Sequence, residues 1–147
     1  MNDLERAIDL AVDAYAGQTD KANETYIRHP LRVMEEMDTE RERVVAVLHD
    51  VVEDANYTLE VIEQEFGLDI RDAVDALTKR EDESYMAFVE RAAANPTARE
   101  VKIADIEDNM DLTRLDSVNE SVLEKQETYH EAWIKLQDMD QAEKTTN

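Results

Sequence analysis

The stretch Val45-Ala46-Val47-Leu48-His49-Asp50-Val51-Val52-Glu53-Asp54, VAVLHDVVED, reads as a buried helix into which four ionisable groups have been set. Residues four apart on a helix lie one above the other, so His49 stacks with Glu53 and Asp50 with Asp54. Val44, Val45, Val47, Leu48, Val51 and Val52 nearly surround this polar patch, which makes the helix central and the patch partly buried. A buried carboxylate is costly unless it is neutralised, hydrogen-bonded or bound to a cation. An exposed helix end or a hydrogen-bonded structural histidine would account for the same letters. One imidazole and one carboxylate make a poor divalent site, so a metal reading needs further ligands.

Two stretches offer them. Tyr26-Ile27-Arg28-His29-Pro30 places His29 at a loop-to-helix junction, where its alternative role is to cap the helix before Pro30. Val101-Lys102-Ile103-Ala104-Asp105 places an acid straight after an apolar run, with Asn109 one turn later on the same face. An ordinary helix-surface acid is the competing reading of Asp105. The third histidine, His130 in ETYHEAW, reads as a surface residue of the last helix.

The surrounding chain favours helices throughout, since 147 residues hold only two Gly and two Pro. Leu4, Ala7, Ile8, Ala11, Val12 and Tyr15 recur at helical spacing behind an Asn2 cap and stop at Gly17. QTDKANETYIR, residues 18–28, reads as a loop. Pro30 suits the first turn of a helix running to about Met37. Thr39-Glu40-Arg41-Glu42 is a capping-box pattern opening the VAVLHDVVED helix. Further helices are expected from Asn56-Tyr57-Thr58 to Phe66-Gly67, from Asp69 to about Lys79, from Ser84 to Ala94, and from Asn95-Pro96 to about Met110. Ser117-Val118-Asn119-Glu120 is a second capping box, for a final helix to about Gln137. The expectation is an all-α bundle of about seven or eight helices: one domain over residues 1–140, with residues 141–147 a fraying polar tail.

Charge narrows the partners. Thirty-seven acids against sixteen bases give a net charge of −21, which repels polymeric nucleic acid and anionic membrane surfaces. The acid excess reads as a solvated surface, with a saline habitat the other explanation. No cysteine is present, which rules out disulfides, thiolate metal sites and a cysteine nucleophile. The first residues carry acids where a secretory signal needs bases, and no apolar run approaches the roughly 18 residues of a membrane span. A cytoplasmic protein is expected. Tyr129, Trp133 and Leu136 fit either its own core or another subunit, leaving monomer and homodimer both open.

YIRHPLRV, VAVLHDVVEDANYTLEVIEQEFG, LTKR and VKIADIEDNM, spread from about Ala7 to Arg114, resemble the hydrolase half of the RelA/SpoT family of alarmone enzymes, within the HD-domain metal-dependent phosphohydrolases. The chain is similar to the short, single-domain members, with no length over for a synthetase domain. The resemblance implies His29, His49, Asp50 and Asp105 as metal ligands, for manganese or another divalent cation. It implies that Glu53 and Asp54 position or activate the attacking water and that Asn109 contacts the nucleotide. Metal-activated water would then release the 3′-pyrophosphate of guanosine 3′,5′-bis(diphosphate). Lys21, Lys79, Arg80, Lys102 and Arg114 fall near the matched motifs and are candidates for phosphate contacts, with solvated surface bases as the alternative.

The departures lie where the family reads its substrate. The family pattern of Arg then Lys before the first histidine becomes Asp20-Lys21, ADR-x-HNM becomes Ala104-Asp105-Ile106-Glu107-Asp108-Asn109-Met110, and AH-x-GQ becomes Ala14-Tyr15-Ala16-Gly17-Gln18. Two alternatives therefore stand beside the alarmone: hydrolysis of another phosphorylated nucleotide such as NADPH, and a non-catalytic nucleotide sensor.

Overall fold

Helices start where a short polar side chain can accept one of the first free backbone N–H groups. The computed structural model, which describes residues 1–146, shows this at most of the expected positions. Asn2 caps α1 (Asp3–Tyr15) and Thr39 caps α3 (Glu40–Leu48), each in a reciprocal capping box, with Glu5 and Glu42. Thr58 caps α5 (Leu59–Phe66), Ser84 caps α7 (Tyr85–Ala93), and Asn95 caps α8 (Pro96–Asn109). Gly67, at φ +94°, makes the turn from α5 into α6 (Leu68–Ala76), a conformation that favours glycine. An isolated antiparallel bridge, Thr19 to Thr25, pins the loop before α2 (Arg28–Glu35). Among the described residues there is no strand.

Four expectations change. His29 is the second residue of α2, which has no side-chain cap, so it is not a capping residue. The VAVLHDVVED helix is not continuous: α3 ends at Leu48, His49 and Asp50 form a turn, and α4 covers only Val51–Asp54. Counting α3 and α4 as one broken helix gives eight α-helices among the described residues, as the sequence led us to expect. The last helix, α9 (Glu120–Thr146), is capped by Asn119, whose side chain accepts from Val122 N–H at 3.0 Å, rather than by Ser117. A single 3-10 turn, Leu112–Arg114, precedes it. Finally, α9 does not fray after Gln137. It runs on to Thr146, with Asp140 buried and Arg99 paired to both Asp140 and Glu143. Asn147, the end of the expected tail, lies outside the described residues.

α3 is the axis of the fold. Val44 through Leu48 are all buried, and the helix packs against α1, α2, α6 and α8. A smaller apolar cluster joins α7, α8 and α9 through Val89, Ala93, Ile103, Ile106, Ala132 and Leu136. The apolar stripe of the last helix therefore packs on its own chain, with Tyr129 and Trp133 against the same cluster. No helix of the described residues is long and apolar enough to cross a membrane. The two clusters bring the start of α2, the end of α3 and the middle of α8 to one point.

Candidate metal centre

That point is a knot of ionisable side chains. His29 from α2, His49 from the turn after α3 and Asp105 from α8 are all buried, and one ligand atom from each lies within 4.8 Å of the others. His29 Nε2 is 2.8 Å from Asp105 Oδ1, and His49 Nε2 is 3.4 Å from the same oxygen. Asp50 Oδ2 approaches His49 Nε2 at 3.1 Å and accepts a hydrogen bond from the Tyr26 hydroxyl at 2.6 Å. Neighbouring residues on an unbroken helix point away from one another. His49 and Asp50 converge because the helix breaks at them, with Asp50 near φ −108°, ψ 1°.

The donor set fits a cation. A carbonyl can only accept, so the 2.6 Å contact of His49 Nδ1 with the Ala46 C=O places the proton on Nδ1. In the neutral ring, the form that binds a cation, Nε2 then presents a lone pair. It is buried, meets no partner in hydrogen-bonding geometry among the described residues, and faces two carboxylates that also offer only lone pairs. Such an arrangement calls for positive charge between the groups. Two imidazoles and carboxylates are the donors that first-row divalent ions take.

The titration directions express the same demand. Burial pushes the His49 imidazole down, yet Asp50 and Asp105 outweigh it and hold it well above its ordinary value. Burial likewise raises Asp105, but Lys102 and the two histidines bring it well below the usual carboxylate range. Partial desolvation, then Asp50, raises both Glu53 and Asp54, with Asp54 adding to the first and Asp105 to the second.

A cavity of about 450 Å³ opens over the cluster, with His29, Asp50, Glu53 and Asp105 in its wall. Of the sequence-derived candidates, Lys21, Lys79, Lys102, Asn109 and Arg114 also line it. Their engagements differ. Lys102 is buried with its Nζ 3.1 Å from Asp105 Oδ2, so its charge is already answered by the cluster. Arg114 donates to the Asp108 carbonyl at 3.0 Å and the Asp111 carboxylate at 3.1 Å. Asn109 Nδ2 donates to Asp105 Oδ1 at 3.2 Å. Lys21 sits 5.8 Å from the Tyr129 ring centre, and its ammonium is pushed down by burial, then by Lys125 and Arg114. Arg80 is not brought to this cavity; it is exposed and turned toward Asp75, 3.8 Å away. Asp54 faces a separate polar cavity of about 350 Å³ with Asp13, Gln18 and Tyr57, and Glu53 borders both. His130 is on the surface, stacked against Trp133.

Sequence reasoning missed Tyr26, Arg32, Tyr85, Phe88, Asp108 and Tyr129, all of which line the cavity. Asp108 and Arg32 carried a signal: each is three residues past a candidate ligand, hence on its helix face. Tyr26 comes from the loop before α2, whereas Tyr85, Phe88 and Tyr129 arrive from α7 and α9, and nothing local marks them. Asp20 also lines the cavity, but its Oδ1 accepts from Ala22 and Glu24 N–H at 2.9 and 3.0 Å, holding the loop.

A helical bundle with a buried His–Asp knot at the base of a cation-lined cavity defines the class. The family model described as HD domain matches residues 7–110, and the chain belongs to that family. It is 33% identical over 120 residues to a Mycobacterium leprae protein named "Probable GTP pyrophosphokinase", covering 73% of this chain and 15% of that one. It is 30% identical over 120 residues to the Aquifex aeolicus guanosine-3′,5′-bis(diphosphate) 3′-pyrophosphohydrolase, covering 74% of this chain and 17% of that one. The chain thus spans a small fraction of the length of these curated relatives. A solved structure described as a metazoan ortholog of SpoT that hydrolyzes ppGpp superimposes with a TM-score of 0.77 at 22% identity, over 92% of this chain and 85% of the other, and shares the fold.

Proposed function

We propose that the protein is a cytoplasmic, manganese-dependent phosphohydrolase that removes the 3′-pyrophosphate of guanosine 3′,5′-bis(diphosphate). The observation that carries this reading is the Nε2 of His49, without a hydrogen-bond partner among the described residues, converging with His29, Asp50 and Asp105 under a cavity whose wall carries Lys21, Arg32, Lys79, Lys102 and Arg114. Relatives bearing the name of that hydrolase add support.

His29, His49, Asp50 and Asp105 would hold the ion, with Tyr26 orienting Asp50 through its hydroxyl. When bound, a divalent cation there supplies Lewis acidity, lowering the pKa of water and polarising a phosphoryl oxygen. Glu53, on the cavity wall and raised from its ordinary value by partial burial and then by Asp50, accepts the proton of the attacking water. The water oxygen bonds to phosphorus, the bond from phosphorus to the ribose 3′ oxygen breaks, and a proton returns to that oxygen. Lys79 and Lys21, whose ammonium groups have no carboxylate within ion-pair distance among the described residues, meet the diphosphates first. Lys102 serves mainly to hold Asp105. Asn109, hydrogen-bonded to Asp105, faces the nucleotide.

The experiment is pyrophosphate release from guanosine 3′,5′-bis(diphosphate) by metal-stripped protein resupplied with manganese, with His49→Ala as control. Release that disappears in the variant is expected. No release by the wild type would overturn the substrate assignment, and release undiminished in His49→Ala would overturn the site.

A further inference from the structure

Behind His29 stands a carboxylate to which the reading above gives no task. Asp108 Oδ2 lies 2.6 Å from His29 Nδ1, while Asp105 Oδ1 lies 2.8 Å from Nε2 of the same ring. The two acids are three residues apart on α8 and so share a face, which lets one helix address both nitrogens of one imidazole. Asp108 is itself held. Arg32 donates to it twice, from Nε to Oδ1 at 2.8 Å and from a terminal nitrogen to Oδ2 at 3.0 Å. Arg32 in turn lies three residues past His29 on α2, closing a ring of contacts between the two helices.

The two carboxylates ask opposite things of the imidazole. A neutral ring with its proton on Nδ1 satisfies Asp108 and leaves the Nε2 lone pair facing His49 and Asp105, where a cation would sit. The other tautomer would leave Asp108 facing a bare nitrogen at 2.6 Å and would fill the ligand position with a proton. Asp108 therefore selects the ligating tautomer, and the planar Arg32 fork sets the angle at which the carboxylate meets the ring.

We propose that Asp108, clamped by Arg32, is a positioning residue for the metal centre, fixing the tautomer and orientation of His29. The inference rests on the reading of His29 as a ligand. It also assigns Arg32 to the protein's own scaffold rather than to substrate phosphate, although the residue lines the cavity.

A plain structural ion pair would change stability alone, so the readout is affinity for manganese alone, titrated by calorimetry into metal-stripped protein. Asp108→Asn is expected to bind manganese about 10–100-fold more weakly than wild type, the usual loss when a partner behind a ligating histidine is removed. Asp108→Glu, which keeps an anionic acceptor, is expected to recover most of that affinity. Undiminished affinity in Asp108→Asn overturns the proposal. Should that variant not fold, the metal-free wild-type protein answers instead: where the His29 ring is neutral, a long-range proton–nitrogen spectrum is expected to show its proton on Nδ1, toward Asp108, and a proton on Nε2, toward Asp105, overturns the assignment. Failure of the wild type to bind manganese at all would overturn the metal centre itself, an outcome distinct from loss of Asp108's part in it.

Discussion

His49 and Asp50 are neighbours in the chain, yet Nε2 of the first lies 3.1 Å from Oδ2 of the second because the helix breaks between α3 and α4 at these two residues. The break turns a row of side chains along one helix into a convergent pair. It also separates the two acids that follow, leaving Glu53 on the main cavity and Asp54 beside the second one.

Asp105→Asn removes more than a ligand. Lys102 is buried with Asp105 as its counter-charge, and stripping one partner from a buried pair costs about 3–5 kcal/mol. The variant is expected to lose manganese-dependent turnover and to unfold at lower urea concentration. Adding Lys102→Met should restore much of the urea midpoint without restoring turnover. An unchanged midpoint in Asp105→Asn would show that the pair contributes nothing to folding.

Glu53→Gln and Asp54→Asn should separate cleanly. If Glu53 takes the proton from water, Glu53→Gln lowers kcat by about 10²–10⁴-fold with little change in KM or manganese affinity. Asp54→Asn should fall well short of that loss. Steady-state pyrophosphate release by both variants decides, and the reverse ranking would move the role to Asp54.

Tyr15 buries a hydroxyl that makes no full hydrogen bond among the described residues, its nearest polar neighbour being the backbone at Asp50. A buried unsatisfied polar group costs roughly 1–3 kcal/mol, so Tyr15→Phe is expected to raise the urea midpoint at constant slope. A lower midpoint would reveal a water or side chain that the hydroxyl serves.

Outside the cavity lining, Glu100 shares the α8–α9 contact with Arg99, Asp140, Glu143 and Lys144. Burial, then Asp140, pushes its carboxyl up to about 7. The folded state therefore keeps a proton that the unfolded chain releases near the ordinary carboxylate value. This contribution to stability is present at acid pH and is lost as pH rises through about 7. Because Glu100 is only partly buried, the effect should be about 1 kcal/mol after solvent screening. Glu100→Gln should match wild type at pH 5 and exceed it at pH 8 by about that amount in chemical denaturation. Parallel pH profiles for the two proteins would rule it out.

What the sequence made legible was local. Asn2, Thr39, Thr58, Ser84 and Asn95 were readable as caps because the residue and the N–H it serves are three apart in the chain. His29, His49, Asp50 and Asp105 were readable from their flanks, and the fold draws them together. The helix break at His49 was not, since VAVLHDVVED has neither Gly nor Pro and its turn is imposed by packing around the histidine. Asp108 looked like a departure from a pattern, and although Arg32 stands three residues past a candidate ligand, its pairing with Asp108 was not readable because it spans two helices. The helical end of α9 was misread as a tail because its anchor, Arg99, lies some forty residues earlier in the chain.

The match to the family stops at residue 110, but the cavity does not: Arg114, Leu115 and Tyr129 close its far side from the 3-10 turn, the loop after it and α9. The knot of ionisable side chains thus lies wholly within the matched stretch, while part of the cavity wall comes from chain beyond it, joined through residues 111–119. Substitutions at Arg114, Leu115 or Tyr129 would reshape that part of the wall without touching His29, His49, Asp50 or Asp105.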